Sequence, residues 1–270
     1  MIIEPRIRGF ICTTAHPEGC AMSVHQQVGY VAGKGEIPGM AKRVLVLGCS
    51  AGYGLASRIV ATFGGGADTV GVSFEKSPSE TKTASAGWYN NRAFEAEAAK
   101  AGHKAVTLDG DAFSDEMKAQ TVAAIAEHLG QVDLVVYSMA APVRTHPKTG
   151  ETFRSAIKPL GAPVTVKTLN TDKGEVFETE LQPATPEETA GTVAVMGGED
   201  WEMWIAALSA AGVLAPGFRT LSYTYIGSEL TWPIYWKATL GKAKEDLDRA
   251  AAAIRTQHGT KRAIFPIYTI

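Results

Sequence analysis

Two side chains near the end of the sequence could carry out proton-transfer chemistry together. Tyr235 carries a phenol that can hydrogen-bond a carbonyl oxygen and deliver a proton, and Lys244 carries an ammonium group that lowers the pKa of a nearby phenol. The two residues are nine positions apart, so on one regular helix they would face opposite ways. They can meet only if Tyr235 lies in a distorted first turn, and Pro233 just before it is typical of a helix start.

Lys244 lies at the border of the apolar stripe of this helix, whereas Lys242 points to the far side. Lys244 is therefore the better candidate for reaching an interior site. One spacing does not fix a catalytic pair, so an alternative stays open. In that alternative, Tyr235 is a core aromatic and Lys244 extends its alkyl chain along an apolar surface.

A glycine-rich segment earlier in the chain is typical of a dinucleotide site. Residues Gly48 to Gly54 read Gly-Cys-Ser-Ala-Gly-Tyr-Gly and follow the apolar run Val44–Leu47 directly. Glycines here permit a tight turn and let the backbone approach a pyrophosphate at the N-terminus of the following helix. The context of strand, turn and helix favours cofactor binding over a glycine-rich turn without a ligand.

An acidic residue follows at the spacing that a ribose-binding carboxylate would have. Glu75 comes 21 positions after Gly54, where a carboxylate accepts hydrogen bonds from the adenosine ribose and repels a 2′-phosphate. This favours NADH over NADPH, although the adjacent Lys76 could shelter a phosphate. The alternative for Glu75 is a solvated strand end. Asp111-Ala112 and Met139-Ala140 follow the next two strands, where they would line the cofactor or form plain loops.

The elements around these residues alternate between strands and helices. The patterns predict strands at Val44–Leu47, Thr69–Phe74, Ala105–Leu108, Val132–Tyr137, Arg219–Ile226 and Arg262–Ile270, with a helix from about Asn91 to Ala101 and a long one ending near Thr256. We expect an α/β fold with a Rossmann-like, doubly wound parallel sheet of the short-chain dehydrogenase/reductase type. A β-hairpin inserts within about 140–195, residues 1–40 form an N-terminal cap segment, and 41–270 form the cofactor-binding and catalytic domain.

Composition excludes several classes of protein. The 270 residues are 45% apolar and 20% charged, with a net charge of −2, so neither a disordered chain nor a nucleic-acid-binding protein is expected. No apolar run approaches the length of a membrane span, and the first residues lack a signal peptide, which predicts a cytoplasmic protein. The cluster of Cys12, His16, Cys20 and His25 matches no zinc spacing, so no metal is expected.

The sequence resembles the FabV-type trans-2-enoyl-CoA reductases, also called TER, over roughly residues 1–257. The distinguishing feature is the Tyr-x8-Lys spacing of Tyr235 and Lys244, and the supporting segments are Gly48–Gly54, Ser73–Glu75, Gly87–Asn90, Asp109–Asp115, Val135–Pro142, Arg144–Gly150 and Val195–Trp201. The resemblance implies NAD as cofactor. Its implied contacts are Gly48, Cys49, Ser50, Ala51, Gly52, Tyr53, Phe74, Glu75, Asp111, Ala112, Met139, Ala140 and Lys244.

The resemblance also implies the reaction. Tyr235 would be the proton donor and Tyr225 a substrate contact in the NADH-dependent reduction of the Cα=Cβ bond of trans-2-enoyl-CoA or enoyl-ACP thioesters. The expected partner is that thioester, with the chain as a monomer and without nucleic acid or integral membrane association. Arg144, His146 and Lys148 would form a basic lip for a CoA or carrier phosphate, or simply a solvated loop.

Two alternatives to this function stay open. Family members are longer, and residues 259–270 match no family pattern, which predicts a truncated or divergent form. The chain could then be an NAD-binding fragment without turnover. It could also be a different short-chain reductase that acts on a ketone.

Overall fold

Strands and helices alternate along the chain in a computed structural model that describes residues 2–8, 11–225, 227–259 and 264–269. The helices are α1 (Pro17–Ala32), α2 (Gly52–Ile59), α3 (Ala86–Lys100), α4 (Asp115–His128), α5 (Pro186–Met196), α6 (Glu199–Ala210) and α7 (Thr239–His258). The strands are β1 (Ile7–Arg8), β2 (Ile11–Cys12), β3 (Arg43–Leu47), β4 (Asp68–Ser73), β5 (Ala105–Asp109), β6 (Val132–Tyr137), β7 (Val143–Thr145), β8 (Thr152–Arg154), β9 (Val164–Asn170), β10 (Glu175–Leu181), β11 (Leu214–Tyr225) and β12 (Ile264–Thr269).

Six strands form the central sheet, in the order β12-β11-β6-β3-β4-β5. β3 pairs in parallel with both β4 and β6, and β4 pairs in parallel with β5. Counted along the chain, this is the doubly wound order 3-2-1-4-5-6, in which the direction of winding reverses beside β3. The predicted fold class is confirmed, and so is the hairpin insertion, which consists of the antiparallel pair β9 and β10.

Apolar residues explain why β3 occupies the middle of the sheet. Val44 through Leu47 are fully buried, as expected for a strand covered on both faces. The polar ends are held by an ion pair, because the Arg43 guanidinium lies 2.7 Å from the Asp133 carboxylate at the start of β6. This pair holds the pKa of Asp133 below its usual range, mainly through the hydrogen bond from Arg43.

The chain divides into two compact units. Unit 1 consists of residues 1–138 and 207–220, and unit 2 consists of residues 139–206 and 221–270. In unit 1, α1 supplies Val24 and Val28 to a buried cluster with residues of α2 and α3, so part of the region 1–40 belongs to the core. The division into a cap segment and one catalytic domain stays a prediction.

Unit 2 contains the antiparallel pairs β7–β8 and β9–β10 and the helix α7. Its helix α5 begins with a capping box, in which the Thr185 hydroxyl accepts from the Glu188 amide and the Glu188 carboxylate accepts from the Thr185 amide. α7 buries Leu240, Leu247 and Ile254 on one stripe and ends at Gly259, whose φ is +61°. Glycine adopts this left-handed conformation without a steric clash, which explains why the helix ends at this residue.

Several predicted boundaries were wrong. Phe74 lies beyond β4, which ends at Ser73, and α3 begins at Ala86 rather than near Asn91. β11 begins at Leu214, five residues before the predicted start at Arg219, and the predicted end at Ile226 lies outside the described residues. For the last strand, Arg262, Ala263 and Ile270 lie outside the described residues, and β12 covers Ile264–Thr269.

Candidate active site

The glycine-rich segment forms a tight cradle between β3 and α2, within unit 1. Gly48 has a φ of +80° and Gly52 a φ of +53°, conformations that L side chains rarely adopt. A Cβ at Gly54 would lie 1.9 Å from the backbone oxygen of Gly48, so only glycine fits there. The cradle precedes the first turn of α2, where free amide groups favour an anion.

The carboxylate of Glu75 lies beside this cradle and is held by hydroxyl groups. The Ser50 hydroxyl donates to Glu75 Oε1 at 2.6 Å, and the Ser85 hydroxyl donates to Glu75 Oε2. Asn90 Nδ2 donates to the backbone oxygen of Ser50 at 3.0 Å, which ties α3 to the glycine-rich segment. Ser50 and Glu75, two of the implied cofactor contacts, are therefore in direct contact with each other.

Beneath the cradle lies a buried cation. The Arg58 guanidinium is fully buried. In the sheet, its Nε donates to Thr69 Oγ1 (3.0 Å), its Nη1 to Thr107 Oγ1 (2.8 Å) and its Nη2 to the Val106 oxygen (2.8 Å). Nη1 also donates to Cys49 Sγ in the cradle at 3.7 Å. Burial lowers the pKa of Arg58 and raises that of the Cys49 thiol. The Cys49 side chain thus faces the interior, and its predicted role as a cofactor contact stays a prediction.

Two aromatic side chains beside the cradle are exposed. Tyr53 is 53% exposed and Phe74 is 80% exposed, so both present apolar surface that a flat ring could cover. Ala51 and Gly52 are also exposed.

The segment after β5 is held from within unit 1. The Asp111 carboxylate accepts from the Phe113 amide at 2.9 Å, which forms a tight turn. Lys118 is buried, and its ammonium group donates to the backbone oxygens of Ala112 (3.2 Å) and Phe113 (2.9 Å). Asp111 and Ala112 are thus fixed in place, and their contact with adenine stays a prediction.

In unit 2, Tyr235 lies in a turn before α7 rather than in the helix. Its backbone amide donates to the backbone oxygen of Thr231 at 3.0 Å, and its backbone oxygen accepts from the Gly241 amide at 2.9 Å. Gly227, with a φ of +69°, lies beside the ring, since a Cβ there would be 3.9 Å from Tyr235 Cδ2. Tyr235 therefore does not lie in a distorted first turn, and the helix start expected near Pro233 is wrong, since α7 begins at Thr239.

Lys244 lies in the second turn of α7 and points inward. It is 4% exposed, and its ammonium group donates to the Thr224 hydroxyl of β11 at 2.7 Å. Burial lowers the pKa of Lys244 to about 8, partly offset by the negative charge of Asp248. Lys242 is exposed and pairs with Glu245 at 2.8 Å, which confirms the assignment of the inward lysine.

The remaining predicted site residues in unit 2 lie on two segments. Met139 is half-buried and Ala140 is exposed, directly after β6. Tyr225 is the last residue of β11, and its side chain lies outside the described part of the chain.

The predicted basic lip for a phosphate is wrong for Arg144. Arg144 is 1% exposed, and its guanidinium donates to Glu199 (2.8 Å) and to the Ala194 oxygen (2.6 Å). His146 lies 3.5 Å from the same carboxylate, and its Nδ1 accepts from the Lys148 amide at 3.1 Å. Arg144 and His146 therefore hold unit 2 together, and Arg144 is not a surface cation for a phosphate.

The cysteines and histidines near the N-terminus lie in different surroundings, since Cys12 and His25 are exposed and Cys20 is half-buried. His16 caps α1 by accepting from the Gly19 amide at 3.3 Å, and Cys12, Cys20 and Cys49 are free thiols. Within the described residues, no group of three or more His, Cys, Asp and Glu side chains could hold a metal ion. No helix in that part of the chain is long and apolar enough to cross a membrane.

Two family models match this chain. The catalytic region of trans-2-enoyl-CoA reductase matches residues 82–265, and the NAD(P)H binding domain of trans-2-enoyl-CoA reductase matches residues 2–80. The chain belongs to the trans-2-enoyl-CoA reductase family. The predicted family is confirmed.

Similar proteins are known from several bacteria. An enoyl-(acyl-carrier-protein) reductase (NADH) of Pseudoalteromonas atlantica is 59% identical over 97% of this chain, and one of Burkholderia thailandensis is 59% identical over 94%. The chain spans 66% and 64% of the lengths of these two relatives. The crystal structure of Treponema denticola trans-2-enoyl-CoA reductase in complex with NAD has a TM-score of 0.91 and 49% identity, covering 98% of this chain and 68% of that one.

The sequence reasoning missed the residues that hold the site residues in place. Thr224 binds Lys244, Lys118 binds the Ala112 oxygen, and Ser85 binds Glu75. Ser85 directly precedes α3 and could have been found from that helix start, had the helix not been assigned to begin near Asn91. Thr224 lies 20 positions before Lys244 and meets it through tertiary packing, which leaves no local signal. Lys118 contacts residues only five and six positions before it, just before the start of α4.

Proposed function

We propose that the protein reduces the Cα=Cβ bond of trans-2-enoyl thioesters, carried by CoA or by acyl-carrier protein, with NADH as the reductant. The observation that carries the proposal is the buried ammonium group of Lys244 in a chain of this family. It lies nine positions after Tyr235, is bound to Thr224, and has a pKa lowered to about 8. A buried ammonium group stabilises a phenolate near it and so lowers the pKa of a tyrosine.

The described residues fit a dinucleotide. The cradle of Gly48 and Gly54 leaves no room for side chains, so the backbone can approach a pyrophosphate at the start of α2. Glu75 supplies a carboxylate for the ribose hydroxyls, and Tyr53 and Phe74 supply exposed aromatic surface. NADH, when bound, supplies a hydride for Cβ of the substrate.

Tyr235 acts on the charge that develops after hydride addition. Bond formation at Cβ leaves an enolate whose negative charge is on the thioester oxygen. The Tyr235 hydroxyl hydrogen-bonds that oxygen and relays a proton to the enolate. Protonation at Cα gives the saturated thioester, and a proton from solvent returns to the Tyr235 phenolate. Lys244 stabilises the phenolate that forms and contributes to cofactor binding, and Tyr225 orients the thioester.

An NADH-consumption assay with crotonyl-CoA tests this proposal, with NADH binding measured separately by calorimetry. Turnover of crotonyl-CoA, with no turnover of ketones, is expected. Consumption of NADH with a ketone but not with crotonyl-CoA would instead identify a ketone reductase. Binding of NADH without turnover of any enoyl-CoA would identify a nucleotide-binding fragment.

We also propose a partner, an oligomeric state and a cellular compartment for the protein. The thioester substrate is the expected partner, in a monomeric protein of the cytoplasm. Gel filtration of the purified chain checks the monomeric state, and a mass of one chain, 28.6 kDa, is expected.

A further inference from the structure

The carboxylate of Glu75, which follows β4, is restrained by Ser50, Ser85 and Gly87. Ser50 donates to Oε1 at 2.6 Å, and Ser85 donates to Oε2. Each hydrogen bond is charge-assisted, which makes it stronger than a bond between neutral groups. One bond comes from the glycine-rich segment and the other from the residue that precedes α3.

Ser85 uses its hydroxyl for Glu75 instead of for its own helix. Ser85 is the residue before α3, a position where a serine side chain ordinarily accepts from a helix amide, yet no such bond is present. The hydroxyl instead accepts from the Lys76 amide at 3.0 Å and donates to Glu75. The serine therefore ties the helix start to the residues that follow β4.

Gly87 completes the restraint by being small. A Cβ at Gly87 would lie 2.0 Å from Glu75 Oε1, 2.4 Å from its Cδ and 2.8 Å from Ser50 Cβ. Gly87 is the second residue of α3, where alanine is the better helix former. The demand for glycine at this position therefore comes from the carboxylate and not from the helix.

We propose that Ser50, Ser85 and Gly87 are specificity-determining residues that select NADH over NADPH by holding the Glu75 carboxylate in one position. This inference rests on the proposed function. Two consequences of a fixed carboxylate support it. The ribose hydroxyls need an acceptor within hydrogen-bond distance, and repulsion of a 2′-phosphate weakens in inverse proportion to the separation of the charges. A carboxylate free to rotate away would lose both effects.

The experiment measures the dissociation constants of NADH and NADPH for the 270-residue chain and its variants, by titration calorimetry. Ser50→Ala, Ser85→Ala and Gly87→Ala are each expected to reduce the preference for NADH by about tenfold. Ser85→Thr keeps a hydroxyl and is expected to restore the preference. Ser79→Ala, an exposed serine in the same connection between β4 and α3, is the matched control and is expected to leave it unchanged.

A double variant separates positioning from a general structural role. Glu75→Ala is expected to abolish most of the preference by itself, and adding Gly87→Ala to it should then change the NADH to NADPH ratio no further. Circular dichroism establishes that each variant is folded. A structural role alone would weaken the binding of both dinucleotides equally and leave their ratio unchanged.

The outcomes distinguish the inference from the function on which it rests. If Glu75→Ala lowers the preference while the serine and glycine variants keep it, the inference is overturned and the proposed function stands. If Glu75→Ala itself leaves the preference unchanged, the inference is overturned as well. If the folded wild-type chain binds neither dinucleotide, both the inference and the NADH-dependent function are wrong.

Discussion

The glycine cradle of unit 1 and the tyrosine–lysine pair of unit 2 are built in different ways. The cradle is made of backbone, and its shape follows from positive φ angles and absent Cβ atoms within seven consecutive residues. The pair depends on side chains on separate elements, with Tyr235 in a turn and Lys244 in α7, where β11 supplies the hydroxyl partner. A site formed by backbone can therefore be predicted from consecutive residues. A site formed by side chains on separate elements depends on tertiary packing.

The largest effect expected is on turnover, from Tyr235→Phe. Removing the phenolic hydroxyl removes the proton donor, so kcat should fall by about 10³-fold while NADH binding is retained. Steady-state kinetics with crotonyl-CoA and calorimetry with NADH make the two measurements. Tyr30→Phe, at an exposed position on α1, is the control. Equal loss of turnover and binding would contradict the separation of the two regions.

Gly54→Ala tests the backbone cradle. A Cβ at this position would lie 1.9 Å from the Gly48 oxygen, so the loop must deform. We expect the dissociation constant of NADH to rise by about 100-fold, because overpacking against backbone has no flexible side chain to absorb it. Gly29→Ala on α1 is the control, since a Cβ there meets nothing within 4 Å. Unchanged NADH binding by Gly54→Ala would contradict the role of the cradle in binding the cofactor.

The buried lysine predicts a pH dependence of stability. The folded chain holds Lys244 with a pKa of about 8 against an ordinary value of 10.5, so between these values the unfolded chain binds more protons. The free energy of unfolding contributed by this group therefore rises with pH through that window, and its unfavourable contribution is complete below pH 8.

Lys244→Met removes this dependence. Relative to the variant, the wild type should gain at most about 3 kcal/mol in free energy of unfolding as the pH rises from 8 to 10.5. Urea denaturation at several pH values measures it, and Lys242→Met, at the exposed lysine, is the control. Parallel pH profiles for the wild type and Lys244→Met would show that the ammonium group is not desolvated.

The smallest effect expected comes from the hydroxyl that binds Lys244. Thr224→Val removes the acceptor at 2.7 Å, so kcat/KM for NADH should fall by roughly fivefold, as one net hydrogen bond would give. Thr224→Ser keeps the hydroxyl and should remain close to the wild type. If Thr224→Ser is as impaired as Thr224→Val, packing rather than the hydrogen bond is responsible.

The sequence predicted the elements near the cradle well, because periodicity and glycine spacing are local. The strands predicted at Val44–Leu47 and Ala105–Leu108 lie within β3 and β5, where the patterns put them. The start of α3 was missed because its first residues, Ala86 and Gly87, carry no apolar periodicity.

Predictions were weaker where side chains from distant positions meet. Arg144 looks like a surface cation in the sequence, and only the packing against α5 and α6 reveals that it is buried and paired with the half-exposed Glu199. Arg58 gave no signal at all, since its partners are spread over residues 49–107. Charge type alone does not tell a buried arginine from a solvated one.

The fully buried thiol of Cys49 gives the chain a reporter of its own opening. A reagent such as a disulfide dye can reach this sulfur only when the structure around it opens, whereas Cys12 is exposed in the closed structure. The slow phase of thiol labelling then measures how often the loop region opens, without any introduced probe. A dinucleotide that binds the closed form should slow that phase in proportion to its saturation.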